Sequence, residues 1–126
     1  MKSHGHCLCG NIEFEANGVP SWVAYCHCAS CRRHTGSPVT CFVNFARTEV
    51  SFRREPAVFE SSPGVRRSFC DRCGTPIAYE TEKRPKEIDV YLNVFDEPEA
   101  FSPEMHAFHS ERIPWFDTRD ELPRKP

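Results

Sequence analysis

Apolar and polar residues alternate in short runs through most of the chain, which is the period of half-buried β-strands. In residues 11–16, Ile12, Phe14 and Ala16 share one side, and Asn17-Gly18 turns the chain after them. Residues 22–25 form a compact apolar run, and Val39, Cys41, Val43 and Phe45 line one face of 39–45. Shorter strands are predicted at 49–53, 57–60 and 65–69, separated by Glu55-Pro56 and by Ser61-Ser62-Pro63-Gly64 in the manner of a meander. Residues 77–80 add another. The longest alternation, 87–95, aligns Ile88, Val90, Leu92 and Val94. A last strand is predicted at 105–109, with Pro114-Trp115-Phe116 folding back as an aromatic clasp and a loosely held polar tail from Asp117. Helical signals are confined to one turn at 29–34, stopped by Gly36 and Pro38, and another at 98–101. The fold class is therefore mainly β with short helical turns, in a single domain of 126 residues with no repeat or linker.

Cysteine changes this picture. Three of the eight cysteines fall within six residues, Cys26-His27-Cys28-Ala29-Ser30-Cys31, where the apolar run 22–25 ends. Two pairs flank them, Cys7-Leu8-Cys9-Gly10 and Cys70-Asp71-Arg72-Cys73-Gly74. Tight clusters of this kind converge on one ion more readily than they form disulfides, so metal is the reading they favour. Cys7, Cys9, Cys70 and Cys73 can close a structural zinc site with four thiolates, Gly74 giving the second turn its freedom to adopt positive φ. Cys26, Cys28 and Cys31 supply three ligands and leave a fourth position for water or substrate, as catalytic zinc sites do. Arg32 and Arg33 stand ready to offset the charge of three thiolates. Other readings of this cluster stay open: a metal-free redox site, or a closed site completed by Cys41, His27 or His34. Cys41 lies in an apolar stripe and reads first as a buried thiol. His27, between two ligands, should turn away from the shared ion toward solvent or a supporting hydrogen bond. His106 and His109, three apart in a strand, should face opposite sides, and His4 and His6 read as surface histidines.

Charge excludes some partners. Sixteen basic against 18 acidic side chains leave a net charge of -2, which offers no broad positive field for nucleic acid or an anionic membrane, although Arg66-Arg67 remains a local anion contact. No apolar run is long enough for a signal peptide or a membrane span, so a soluble cytoplasmic protein is expected.

The three cysteine motifs in this order resemble the glutathione-dependent formaldehyde-activating enzyme family. The similarity runs through Cys7-Leu8-Cys9-Gly10, Cys26 to Arg32 with Gly36-Ser37, and Arg67-Ser68-Phe69-Cys70-Asp71-Arg72-Cys73-Gly74, and extends to Pro114-Trp115 and Leu122-Pro123. The resemblance implies a β-tent of small antiparallel sheets, a structural zinc at Cys7, Cys9, Cys70 and Cys73, and a labile or catalytic zinc at Cys26, Cys28 and Cys31. It implies a carbon-sulfur lyase acting on a thiol-aldehyde adduct such as S-(hydroxymethyl)glutathione, with glutathione as the small-molecule partner. The alternatives are a non-catalytic zinc module, with Trp22, Phe42, Phe52, Phe59 and Trp115 as an aromatic patch, and a redox or zinc-release switch.

Overall fold

The computed structural model describes all 126 residues. Ten strands form two sheets. The smaller sheet orders β1 (Lys2–His6), β2 (Glu13–Asn17) and β5 (Val50–Phe52), all antiparallel. The larger orders β10 (Met105–Ala107), β3 (Trp22–Cys26), β4 (Thr40–Ala46), β9 (Glu87–Tyr91), β8 (Pro76–Thr81), β7 (Val65–Phe69) and β6 (Ala57–Ser62). One α-helix, α1 (Ala29–Thr35), joins β3 to β4, and short 3-10 turns complete the chain. This is the mainly β architecture that the alternation predicts. No helix is long and apolar enough to cross a membrane.

The main core lies between the sheets. Phe14 and Ala16 of β2 and Val50 of β5 meet Val43 and Phe45 of β4, Ile77 of β8, and Ile88 and Val90 of β9. Phe95 joins them edge-on to Phe14 at 5.2 Å and 4.7 Å from Phe101, centroid to centroid. Contacts of this kind add to the burial of the rings themselves. Gly5 on β1 lies so close to the Phe14 ring and the Val94 carbonyl that any β-carbon would collide with both. Its hydrogen atom is what lets the N-terminal strand press against the core.

β4 is covered on both sides. Val43 and Phe45 enter the main core, while Phe42 packs with Tyr91, Cys26 and Cys31 in a smaller cluster against Trp22, Cys28 and Tyr79. Phe42 and Tyr91 stack at 4.4 Å, so the aromatic patch envisaged from sequence is spent largely on packing. Phe59 and Trp115 remain exposed.

Four expectations fail at the edges. β9 stops at Tyr91, opposite Phe42 of β4, and residues 92–94 turn as a 3-10 helix that carries Phe95 to a bridge with Gly5. The alternation of Leu92 and Val94 continues through this turn, which is why the sequence suggested a longer strand. β10 pairs parallel with β3 and ends at Ala107, because Phe108 takes a left-handed φ of 53°. The clasp fails at Trp115, 74% exposed, and the tail is not loose. Main-chain bonds join His106 N to Pro123 O at 2.7 Å and Lys125 N to His106 O at 2.8 Å, so the tail runs beside β10.

Candidate functional site

Cys7 and Cys9 lie in the turn between β1 and β2, and Cys70 and Cys73 in the turn between β7 and β8. Both turns are made alike. Cys7 N–H reaches Ile12 O and Gly10 N–H returns to Cys7 O; Cys70 N–H reaches Thr75 O and Gly74 N–H returns to Cys70 O. Gly10 and Gly74 each sit at φ 81°, where a side chain would strain the loop. Amides then point at sulfur: Ile12 N–H to Cys7 at 3.2 Å, Arg72 and Cys73 N–H to Cys70 at 3.4 Å. Hydrogen bonds from the Thr75 hydroxyl and its amide pull the Cys73 thiol down to about 5.

All four sulfurs lie within 4.8 Å of one another, with Cys7 to Cys9 at 3.6 Å and Cys9 to Cys70 at 3.8 Å. Four sulfurs placed about 2.3 Å from one tetrahedral zinc would stand about 3.8 Å apart. The donor set therefore fits a four-coordinate ion.

The second group gathers where β3 meets α1. Cys26 ends β3, Cys28 caps α1 by accepting from Cys31 N–H at 3.3 Å, and Cys31 occupies the first turn of the helix. Their sulfurs also lie within 4.8 Å of one another, Cys26 to Cys31 at 3.6 Å, and no fourth His, Cys, Asp or Glu donor joins them. Hydrogen bonds from Cys26 and Cys31 hold Cys28 far below the ordinary thiol range, while the Cys26 thiol is driven up by Cys28, Cys31 and burial. Even without an ion, the hydrogen bonds among the three sulfurs favour a thiolate within the cluster.

Arg67 of β7 meets that charge. Its guanidinium is buried, with Nη1 3.5 Å from Cys31 Sγ and 3.4 Å from the Tyr91 hydroxyl, Nε 3.2 Å from Ser61 Oγ, and its plane 5.0 Å from the Tyr79 ring. Burial and the neighbouring Cys31 push the Tyr91 hydroxyl well above the phenol range, so it stays protonated and bonds His34 Nδ1 at 2.9 Å. Sequence reasoning assigned the counter-charge to Arg32 and Arg33. The structure places these on the other side of α1, in a separate hollow with Ser37 and Trp115. Of the Arg66-Arg67 pair noted for its charge, Arg67 is the one that reaches the cluster.

Behind the cysteines runs a buried chain of imidazoles. His27 Nε2 lies 2.8 Å from His106 Nδ1, and His106 Nε2 lies 3.1 Å from the Asp120 carboxylate. Bonds from Thr118 and His106 keep Asp120 ionised, below the usual carboxylate range. An ionised carboxylate only accepts, so His106 Nε2–H donates to it; Nδ1 of a neutral His106 then accepts from His27 Nε2–H. Burial pushes His27 down to about 4. His27 thus turns away from the cysteines, as its place between them suggested, but into the protein rather than toward solvent. The expectation for His106 and His109 fails, since the left-handed Phe108 brings their rings to 5.6 Å. Cys41 joins neither sulfur group and packs against the main core as a free thiol. His4 and His6 are surface residues near Glu15 and Asp96.

A cavity of about 710 Å³ opens onto Cys26, Cys28 and Cys31. Arg67 lines it too, and most of its wall is apolar.

A sequence profile described as "Glutathione-dependent formaldehyde-activating enzyme" matches residues 2–111. The chain belongs to that family. Both sulfur groups, Arg67 and the cavity fall within the matched span, as does His106; Asp120 lies beyond it. Among solved structures the family member is similar to a crystal structure of a Rhodobacter sphaeroides protein, with 20% identity and a TM-score of 0.62 over 99% of this chain and 100% of that one. At that identity the likeness speaks for the fold. No curated protein matches the chain.

Proposed function

We propose that this family member makes or splits a thiol-formaldehyde adduct of the S-(hydroxymethyl)glutathione kind, as a carbon-sulfur lyase. The observation that carries the reading is the contrast between the two sulfur groups. Cys7, Cys9, Cys70 and Cys73 offer four donors, enough for a closed tetrahedral sphere, whereas Cys26, Cys28 and Cys31 stop at three donors beside a cavity. Zinc suits both: a structural ion in the first, an exchangeable one in the second. In the second, the ion's Lewis acidity would favour the thiolate form of an incoming thiol.

The chain's own residues do the rest. Cys26, Cys28 and Cys31 fix the position at which sulfur arrives, beside the apolar part of the cavity wall. In the forward direction the sulfur lone pair forms the S–C bond, the carbonyl π pair moves onto oxygen, and that oxygen takes up the proton lost by the thiol. Arg67, in the cavity beside Cys31, is the cation available to donate an N–H to the oxygen as its charge grows. The reverse reaction releases thiol and formaldehyde through the same contacts. Eight free thiols suit a cytoplasmic setting.

The test combines metal counting with kinetics. Wild type should hold two zinc ions and Cys28→Ser one, with the fold kept, and only wild type should speed adduct formation from formaldehyde and glutathione or other small thiols. Identical rates with and without wild-type protein, for every thiol tried, would end the catalytic reading.

A further inference from the structure

Two of the three sulfurs in the open group are set by regular structure, since Cys26 ends β3 and Cys31 lies in the first turn of α1. Cys28 sits in the link between them. A distant stretch of chain shapes that link. His27 N–H donates to Ala107 O at 3.1 Å, His27 Nε2–H to His106 Nδ1 at 2.8 Å, and Ala29 N–H to Glu111 Oε1 at 3.1 Å. Residues 106–111 thus grip the link on both sides of Cys28. The bend between the two grips is Phe108, whose positive φ is a strained setting for a bulky residue and persists only where its surroundings impose it.

This clamp has its own fastening in the C-terminal tail. His106 N–H donates to Pro123 O, Lys125 N–H donates to His106 O, and His109 N–H donates to Lys125 O at 2.7 Å. The His106 ring lies on Tyr25 at 4.8 Å and donates to Asp120 at 3.1 Å. Asp120 is fixed in turn by Arg124 Nη1 at 3.2 Å and Leu122 N–H at 3.0 Å. A hydrogen-bonded path therefore leads from Asp120 through His106 to His27, and both imidazoles are at most 2% exposed.

The link needs such support. Sulfurs that lie within 4.8 Å of one another repel as they ionise, so a free link would open whenever no ion sits between them. A ligand set that is in its chelating shape only a fraction of the time binds more weakly by that fraction.

We propose that residues 106–125 clamp the ligand link, with Asp120 as the latch, and that the latch sets how tightly Cys26, Cys28 and Cys31 retain their ion. The inference rests on the reading that these three cysteines hold an exchangeable zinc. His27, His106 and Asp120 are positioning residues, acting through Cys26 and Cys28 rather than on substrate. Coupling between two sites is reciprocal, so an ion held better with the latch closed also holds the latch closed.

The experiment has two arms. In the first, a chromogenic chelator draws zinc from wild type, Asp120→Asn, Asp120→Glu and Arg124→Met. Asp120→Asn and Arg124→Met should retain zinc at the three-cysteine centre about 10–100-fold more weakly, with the four-cysteine group unchanged. Asp120→Glu should recover part of the loss. Arg124 makes its side-chain bonds to residues 117–122 alone, so a selective loss in that variant reaches the centre through the tail. The second arm needs no variant: hydrogen exchange at the His106, His109 and Lys125 amides of wild type should slow about tenfold or more when the three-cysteine centre is loaded with zinc. Equal loss from both sulfur groups, retention untouched in the variants, or tail exchange indifferent to loading overturns the clamp and leaves the exchangeable zinc standing. Failure of wild type to take a second zinc overturns both.

Discussion

Arg67 and Cys41 show how much a single side chain depends on what the fold brings to it. Arg67 stands 36 residues from Cys31, with which it makes its sulfur contact, so nothing local marks it as part of the site. Its charge was legible and its target was not. Replacement by Met should weaken metal retention at Cys26, Cys28 and Cys31 by about 10–100-fold, as loss of a group supporting ligands commonly does, and leave the ion at Cys7, Cys9, Cys70 and Cys73 in place. Competition with a chromogenic chelator measures both, and equal loss from the two groups would contradict the assignment. Arg67→Lys should recover only part of the affinity, because an ammonium lacks the fork that spans Cys31, Tyr91 and Ser61. Cys41 was readable from its apolar stripe, and burial pushes its thiol up to about 12. Above the ordinary thiol value of 9.0 the unfolded chain ionises while the folded one does not, so the stability contributed by the neutral thiol is whole below pH 9 and fades from about 9 to about 12. Denaturant midpoints between pH 8 and 11 should therefore decline more steeply in wild type than in Cys41→Ala.

At the level of elements, strands could be read from alternation wherever both neighbours in the sheet were ordinary. The failures lie where something distant takes over. β9 ends where its pairing with β4 ends, and the next turn is claimed by Gly5. Gly5→Ala would force the β-carbon into Phe14 and the Val94 carbonyl, so a loss of about 1–3 kcal/mol is expected in urea unfolding, with the melting of β1 and β2 most affected. β10 was predicted as a strand but its parallel partner was not, because parallel pairing requires a distant segment that no turn residue announces. The tail looked loose by composition, yet it ends against His106 through Asp120 and Arg124. Asp120→Asn removes the charge that fixes the His106 tautomer. Hydrogen exchange at the His106 and Lys125 amides should then quicken by about tenfold or more, while amides of β4 keep their protection. Unchanged exchange at His106 would mean that the main-chain bonds alone hold the tail.

For the molecule as a whole, the cysteine motifs made both sulfur groups legible, because each group is assembled from turns of three to six residues. What they could not give was the cavity, since its wall is collected from α1, from β3, β4, β6, β7, β8, β9 and β10 and from the loop that follows Ala107. The two groups should also respond differently to metal removal. A mild chelator should first empty the three-cysteine centre and leave the far-ultraviolet spectrum and melting curve nearly intact. A stronger one should empty the four-cysteine group and unfold the chain, since apparent binding of structural zinc, about 10–16 kcal/mol in small peptides, is folding energy. A single step that removes both ions together would refute this order. The four-cysteine group has a further consequence in time. Cys9 and Cys70 are 61 residues apart, so at about 5–20 residues per second the ribosome makes the first half of the group roughly 3–12 s before the second. During that interval Cys26, Cys28 and Cys31 emerge complete, so the three-cysteine group is whole in the nascent chain before the four-cysteine one. A growing chain that takes its first ion there would carry it beside two unpaired thiols, Cys7 and Cys9, whose proper partners have yet to be translated.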